Sequence, residues 1–219
     1  MTYCARSSTT LERSVLFLAL LASICVVLAA SDSKWASLFN GKSFAGWEGD
    51  TQKSFRIEDG AIVGGSLSER VPRNEFLCTR KAYRNFVLRL KFKVVGKGAN
   101  AGVQIRSKRI PNHYEVIGYQ ADLGDPEWWG SLYDESRRKI TLAKSDPNQI
   151  RKILKRNDWN DYLIQCEGKH IQLWINGVQT VDYTERDDSI EQSGIICVQI
   201  HGGPPSEAWY KEISLEELP

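Results

Sequence analysis

The segment Tyr162–Tyr183, YLIQCEGKHIQLWINGVQTVDY, predicts three β-strands joined by two tight turns. In its middle stretch, His170–Ile175, polar and apolar side chains alternate, and a period of two places the apolar ones on one face of a strand. Glu167-Gly168 and Asn176-Gly177 separate the strands, and Asn-Gly is the strongest short hairpin signal. The segment therefore predicts an antiparallel meander with one buried face.

The same pattern extends along the rest of the chain. Phe86–Val94 alternates apolar with polar residues over a long strand, and Gly102–Ser107 repeats the alternation. Asp59-Gly60 predicts another hairpin turn, between Ser54–Glu58 and Ala61–Val63. Helical periodicity is confined to Asn148–Lys155. Short strands, tight turns and almost no helix predict an all-β fold, an antiparallel sandwich or barrel.

The N-terminus has the order of a secretory signal peptide. Basic residues up to Arg13 precede the apolar run Val15–Leu28, and the small residues Ala29–Ser31 follow it. The run is shorter than the roughly 20 apolar residues that a membrane-spanning helix needs, although an uncleaved anchor is the alternative. We expect residues 1–30 to be removed. Residues 31–219 would then fold as one exported domain, periplasmic or extracellular, without a membrane attachment.

The distribution of charge argues against a nucleic-acid partner. The formal net charge is +2, and acidic and basic residues are interspersed along the chain. A nucleic-acid surface needs a basic stripe, which the sequence lacks.

Three cysteines follow the N-terminal apolar run: Cys78, Cys166 and Cys197. In an exported protein an odd number permits at most one internal bridge. Their spacing is not that of a zinc site. Because free cysteine most often behaves as a small buried apolar residue, that is the default expectation for all three.

Polar side chains occupy one face of several predicted strands. On Gly194–His201 one face is apolar, while the other carries Gln199 and His201. Two more strands have polar faces built in the same way, and these carry Gln104, Arg106, Gln120 and Asp122. If the strands are neighbours, amide, guanidinium, carboxylate and imidazole groups share one surface.

The stretch GYQADLGDPEWWGSLYDE, Gly118–Glu135, adds aromatic residues to that surface. Trp128, Trp129 and Tyr133 lie there among several carboxylates. Sugars need both kinds of group, because their hydroxyls bind amides and carboxylates while their C–H faces lie flat on aromatic rings. The combination predicts a carbohydrate ligand, a small glycoside or an oligosaccharide.

Each of these residues also has a structural interpretation. His201 alone is better explained as a hydrogen-bonded structural histidine, and one of two adjacent tryptophans usually packs in the core. Arg106 with Asp122 or Glu135 could form a structural ion pair. The combination favours a site more than any one residue does.

The order of several segments resembles the bacterial 3-keto-disaccharide hydrolase family, which has a concanavalin-like jelly-roll fold. The matching segments run from Trp35 to Leu218 and are SLFNGKSFAGWEG, FRIEDGAIVGG, NFVLRLKFKV, ANAGVQIRS, YEVIGYQAD, WNDYLIQCEGKHIQLWINGVQTVDYT and SGIICVQIHGGPPSEAWYKEISLEEL. The resemblance implies a single jelly-roll β-sandwich of antiparallel strands. It also implies an exported protein that processes sugars.

The resemblance carries over to a few positions. The glycine-rich strand that ends in arginine corresponds to Gly102–Arg106, and a strand with acids and an amide corresponds to Glu115, Gln120 and Asp122. The closing strand supplies Gln199 and His201. Lys211 stands where the family has its usual basic residue, as a further substrate-binding candidate.

The implied reaction is cleavage of a glycoside whose sugar is oxidised at C3. The ketone acidifies the hydrogen on C2, so a base can remove it and the enolate can expel the C1 oxygen. His201 or Asp122 would be the base. Arg106, with Gln104 or Gln199, would stabilise the enolate.

Further residues would complete the predicted site. Glu135 would be the acid or a hydroxyl ligand, while Trp129 and Tyr133 would form the sugar platform. No cofactor is predicted, but the residues leave room for a divalent metal held by His201 with Asp122 or Glu135.

The same residues are compatible with three functions besides this reaction. The principal one is a non-catalytic, lectin-like carbohydrate-binding module, since jelly rolls host both activities. A conventional glycosidase would need two carboxylates placed across the scissile bond, which Asp122 and Glu135 could supply. A partner-binding protein would present a flat polar surface without a pocket beside the tryptophans.

Overall fold

The hairpins predicted from Tyr162–Tyr183 are present, with both turns where the sequence places them. The computed structural model describes residues 34–219. Asn176 and Gly177 have φ angles of 49° and 80°, as a two-residue turn between right-twisted strands requires. The elements are β1 Ala36–Ser37, β2 Trp47–Glu48, β3 Phe55–Glu58, β4 Ala61–Ser66, β5 Glu75–Tyr83, β6 Phe86–Val95, β7 Asn100–Arg109, β8 Val116–Gly124, β9 Leu132–Glu135, β10 Thr141–Ala143, α1 Pro147–Ile153, β11 Asn160–Glu167, β12 His170–Ile175, β13 Val178–Thr184, β14 Gly194–Ile200 and β15 Ser206–Glu217.

The strands form a sandwich of two antiparallel sheets. The front sheet has the order β10-β9-β8-β7-β14-β5-β2. The back sheet has the order β13-β12-β11-β6-β15-β4-β3, with β1 paired to β15. This confirms the all-β, antiparallel prediction. The front sheet places β7, β8 and β14 side by side, as the predicted polar surface requires.

The core lies between the two sheets. Alternate residues of β6, from Phe86 to Val94, are buried, as the period of two predicts. They face the apolar sides of front-sheet strands, among them Val103 of β7 and Val198 of β14, within one hydrophobic cluster. Burial of these faces fixes the register of each strand, because a slip of one residue would turn every apolar side chain outward.

The hydroxyl of one back-sheet tyrosine reaches the front sheet close to the predicted polar surface. Tyr210 of the back sheet is fully buried, and its Oη lies 2.6 Å from the carbonyl oxygen of Gln199 and 3.2 Å from that of Gly102. Since these carbonyls belong to β14 and β7, the hydroxyl binds the back sheet to the two central strands of the front sheet.

The helix also agrees with the sequence prediction. The helix predicted at Asn148–Lys155 is present as Pro147–Ile153, and the carboxylate of Asp146 caps it by accepting a hydrogen bond from the Asn148 amide. The predicted signal peptide, residues 1–30, lies outside the described residues. Within residues 34–219 no helix has the length and apolar character needed to cross a bilayer.

The default expectation for the cysteines is wrong for two of the three. Cys78 of β5 and Cys197 of β14 are cross-strand partners and form a disulfide, whereas Cys166 is free and buried. Sequence spacing could not predict the pair, because 119 positions separate the two residues and only the sheet order brings them together.

We expect the double substitution Cys78→Ala/Cys197→Ala to lower the free energy of unfolding by about 2–5 kcal/mol, because the disulfide restricts a long loop of the unfolded chain. Denaturant unfolding with and without reductant measures the effect. The reductant should destabilise the wild type and a Cys166→Ala control but leave the double variant unchanged. A wild type insensitive to a reductant that demonstrably breaks the bond would contradict the prediction.

Candidate active site

A chain of side-chain hydrogen bonds runs across the front sheet and ends at Asp122. The Ser107 hydroxyl lies 2.9 Å from Gln104 Oε1, Gln104 Nε2 donates to Gln120 Oε1 at 2.5 Å, and Gln120 Nε2 donates to Asp122 Oδ1 at 2.6 Å. Gln104 and Gln120 are direct cross-strand partners on β7 and β8. Each amide therefore has a defined orientation, and the chain of donors fixes the Asp122 carboxyl in place.

Gly102 makes room for this hydrogen-bonded chain. It pairs with Asp122 across β7 and β8, and a Cβ atom at this position would lie 2.7 Å from both Cγ and Cδ of Gln120. The Gln120 side chain thus occupies the volume that any other residue would fill. The glycine in the ANAGVQIRS segment is required for this close packing.

The Asp122 carboxyl lies in a cavity of about 250 Å³. Its walls come from four places in the chain: the start of β5, the β7–β8 pair, the segment from Trp128 to β9, and the end of β14. The lining residues are Asn74, Asn100, Gln120, Asp122, Trp128, Tyr133, Glu135 and His201. The structure thus brings together six of the predicted site residues.

Two carboxyl groups in this cavity hold protons unusually tightly. Burial raises the pKa of Asp122 to about 7; the Gln120 hydrogen bond opposes the rise, and the charge of Glu135 adds to it. Burial likewise raises the pKa of Glu135 to about 7, with the charge of Glu115 adding to it and Ser136 opposing it. Near neutral pH the site therefore contains protonated and ionised carboxyl groups together.

The imidazole of His201 has a defined tautomer. Its Nδ1 lies 2.7 Å from the carbonyl oxygen of Gly202, and a carbonyl can only accept, so Nδ1 carries the proton. In the neutral ring Nε2 then keeps its lone pair. The backbone amide of His201 donates to the Asn100 carbonyl at 3.0 Å and anchors the residue to β7. The half-buried ring can therefore act as a base through Nε2.

Arg106 does not line the cavity. Strict alternation predicts it beside Gln104, but β7 has a bulge between Ile105 and Lys108, and Arg106 has a φ of 49°. The side chain, 2% exposed, donates to the carbonyls of Arg84 and Gly168 at 2.7 Å each. These carbonyls belong to turns of the other strand pairs, so Arg106 joins loops at one end of the sandwich.

Trp129 and Lys211 also lie elsewhere. Trp129 is buried in the core, where its ring stacks on Phe92 and its Nε1 donates to Asp125. Trp128, its neighbour, lines the cavity instead. Lys211 lies on the back sheet, with its ammonium 4.1 Å from the ring centroid of Trp159. The aromatic wall of the site is therefore Trp128 and Tyr133.

Gln104 and Gln199 are fully buried and do not line the cavity. Gln104 orients Gln120, as the hydrogen-bonded chain shows. Gln199 is fully buried beside Gly102, and neither of its side-chain polar atoms has a hydrogen-bond partner among residues 34–219.

Two residues of the site, Asn74 and Asn100, carry no signal in the sequence. Asn74 accepts from the Gly202 amide at 3.0 Å and donates to Glu115 at 3.2 Å, and Asn100 also lines the cavity. Glu115, which the family resemblance groups with Gln120 and Asp122, is half-buried, and its charge raises the pKa of Glu135. Asn74 and Asn100 lie at strand ends, where alternation carries no signal. Only the sheet order identifies them.

Within residues 34–219 no group of three or more His, Cys, Asp or Glu side chains is arranged to hold a metal ion. His201 and Asp122 share the cavity with Glu135, but they do not form a coordination shell. We therefore assign no metal ligands among these residues.

The fold and site together define a jelly-roll domain of the carbohydrate-active class. The chain belongs to the family of 3-keto-α-glucoside-1,2-lyase-like domains, whose profile matches residues 34–216. This confirms the resemblance found in the sequence and supports a carbohydrate-active role. No curated protein matches the chain.

Solved structures confirm the fold. A protein from Parabacteroides distasonis ATCC 8503, provisionally described as a glycosyl hydrolase, superimposes with a TM-score of 0.66 at 20% identity, covering 84% of this chain and 94% of that one. Carbohydrate-binding module CBM66 from Bacillus subtilis gives 0.61 at 12% identity, covering 78% and 96%. A galectin-like protein of unknown function from B. subtilis gives 0.63 at 9% identity, covering 84% and 94%.

We expect Gly102→Ala to lower the free energy of unfolding by about 1–3 kcal/mol, because the new methyl group must displace Gln120 and break its bond to Asp122. Gly203→Ala is the matched control, since a Cβ there meets no atom within 4 Å. Denaturant unfolding of both variants measures the difference. Equal stability of the two variants would show that Gly102 is not needed for packing.

Proposed function

We propose that this protein is an exported enzyme that cleaves 3-keto-glycosides by elimination. A base removes the proton on C2, the electron pair forms the enolate of the C3 ketone, and the C1–O bond breaks as the enolate collapses. The leaving oxygen takes a proton, and water can then add to the unsaturated sugar, so that the net reaction is hydrolysis. Family membership supports this reaction class.

One observation carries the proposal: two carboxyl groups with a pKa of about 7 share a small cavity with the free Nε2 of His201. General acid–base catalysis is most effective when the pKa lies near the working pH. A module that only binds sugars does not need a carboxyl pKa near neutrality, because protonated and ionised carboxyl groups can both bind hydroxyls.

We assign the base role to His201 and the enolate-stabilising role to Asp122. Arg106 is committed to backbone carbonyls elsewhere, and the residues that line the cavity include no lysine or arginine. A neutral Asp122 can donate a hydrogen bond through Oδ2 while Oδ1 accepts from Gln120. Protonated carboxylic acids in apolar sites stabilise enolates in this way.

The other lining residues would position the sugar. Trp128 and Tyr133 are half-buried aromatic walls on which the C–H face of a pyranose can lie. Glu135, at the more open side, would bind a hydroxyl or protonate the leaving oxygen. Asn74 and Asn100 add amide groups within reach of hydroxyls.

Export is part of the proposal. The N-terminal sequence has the order of a signal peptide. The buried Cys78–Cys197 disulfide supports folding in an oxidising compartment, because such bonds rarely persist in the cytosol.

We expect His201→Ala to lower kcat/KM for a 3-keto-glucoside by about 10²–10⁴-fold, since the base is removed. The unoxidised glucoside should be cleaved by neither protein, because its C2 hydrogen is not acidic. His170→Ala, which changes an exposed histidine paired with Asp182, is the matched control and should retain full activity. Saturable sugar binding without cleavage of either substrate would favour a carbohydrate-binding module.

We expect Asp122→Asn to retain part of the activity and to change its pH dependence. The wild type should lose activity as the pH rises through about 7, because Asp122 must be protonated to donate. Asparagine donates at every pH, so the alkaline loss should be smaller in the variant. The kcat–pH profiles of both proteins measure this. Complete inactivation, with wild-type activity rising through pH 7, would make Asp122 the base.

The same substitution has an effect on stability that needs no substrate. The pKa of Asp122 is raised on folding, so the folded state binds this proton more tightly than the unfolded state. The stabilisation from the proton is complete below about pH 4 and is lost as the pH rises to about 7. The stability of the wild type relative to Asp122→Asn should therefore fall over this range, by about 4 kcal/mol at most. A constant difference would contradict the raised pKa.

A further inference from the structure

A second, larger cavity lies on the other side of the sandwich. It measures about 740 Å³ and lies over the outer face of the back sheet, between β15, β6, β11 and β12. It shares no lining residue with the active cavity. The groove follows a bulge in β15 between Lys211 and Ser214, where Glu212 has a φ of 52°.

Trp174 forms the aromatic surface of this groove. Its neighbours Leu173 and Ile175 are buried in the core, so the indole of Trp174 projects from the outer face, next to Leu163. The ring is half-buried. Among residues 34–219 no ring stacks on it, no cation lies over it, and its Nε1 has no acceptor.

Most of the other tryptophan rings in the described residues have contacts of the kind that Trp174 lacks. Trp47 and Trp129 are core residues with bonded indole nitrogens, and Trp159 and Trp209 pack on each other beneath lysines. Only Trp128 resembles Trp174 in lacking such contacts within the described chain. Each of these two rings lines a cavity, one on each side of the sandwich.

The charged groups of the groove are balanced. Arg89, Lys91, Asp161 and Glu212 all line it, and the Lys91 ammonium lies 3.4 Å from Glu212 and 3.9 Å from Asp161. The Arg89 guanidinium donates to the Ser214 hydroxyl at 2.8 Å and lies over the Trp35 ring. An anionic ligand would meet as much repulsion as attraction. A neutral, hydroxyl-rich ligand can use both the donors and the acceptors, while its C–H face lies on the indole.

We propose that this groove is a second saccharide-binding site, which holds a neutral glycan and performs no reaction. Its volume falls in the range of ligand cavities, about 300–1,000 Å³, and it has the usual combination of one apolar platform with a few polar groups. A glycan held here would keep the enzyme on a polymer while the active cavity, on the opposite side, acts on soluble glycosides. Such tethering raises the local concentration of enzyme without altering its chemistry.

Affinity electrophoresis through gels containing neutral glucans, dextran or a soluble β-glucan, tests the site on the whole mature protein. We expect at least one glucan to retard the wild type, and Trp174→Ala to weaken that binding tenfold or more. Trp174→Phe should retain part of it. Gln172→Ala changes the same face outside the cavity and should bind normally. Trp128→Ala should also bind normally, which places the binding outside the active cavity.

Turnover of a soluble 3-keto-glucoside should change less than twofold in Trp174→Ala, so this test does not depend on the proposed reaction. Equal retardation of wild type and Trp174→Ala would overturn the proposal. The proposal would also be overturned if no neutral glucan retarded the wild type, or if only the anionic polymer carboxymethyl cellulose did so. The proposal would also be overturned if sedimentation showed a dimeric wild type and a monomeric Trp174→Ala variant. The groove would then be an interface between two copies of the chain.

Discussion

The register of β7 between β8 and β14 is the constraint on which the rest of the site depends. One face of β7 packs Val103 and Ile105 into the core, so a slip of one residue would expose them. The same register places Gly102 opposite Asp122 and Gln199, and Gln104 opposite Gln120. The Tyr210 hydroxyl of the back sheet donates to the carbonyls of Gly102 and Gln199. These bonds fix the distance of β7 and β14 from the back sheet.

Burial of polar groups at the site lowers the stability that this packing provides. Asp122 is 5% exposed and faces Glu135, so its ionisation is unfavourable in the folded state. Gln199 is fully buried beside Gly102, so its amide is also removed from bulk water. The disulfide between β5 and β14 joins the strands beside the site, and its contribution offsets part of this loss.

Much of the fold could be predicted from local patterns. Alternation in β6 and β12 and the Asn176-Gly177 turn predicted the strands, because a period of two and a positive-φ turn depend on neighbouring residues only. Gln120, Asp122 and His201 were predicted on one surface for the same reason. Arg106 was misplaced because a single bulge reverses the alternation, and nothing in GVQIRSK indicates it.

Other features depend on contacts between distant segments. Trp129, and not Trp128, enters the core, where it stacks on Phe92 of the back sheet, a residue far away in sequence. Asn74 reaches the site from a loop before β5, and Cys78 meets Cys197 only because β5 and β14 are neighbours. The raised pKa values likewise come from burial, which requires the assembled sheet.

Loss of the C2 hydrogen tests the proposed chemistry most directly. A 3-keto-glucoside would be cleaved in D₂O and the released sugar examined by NMR at early times, with heat-inactivated enzyme as the control for spontaneous exchange. Elimination requires that the original C2 hydrogen be absent from the product, either as an unsaturated sugar or, after hydration, with deuterium at C2. Enzymatic cleavage that retains the original hydrogen at C2 would mean direct hydrolysis at C1 and would contradict the account.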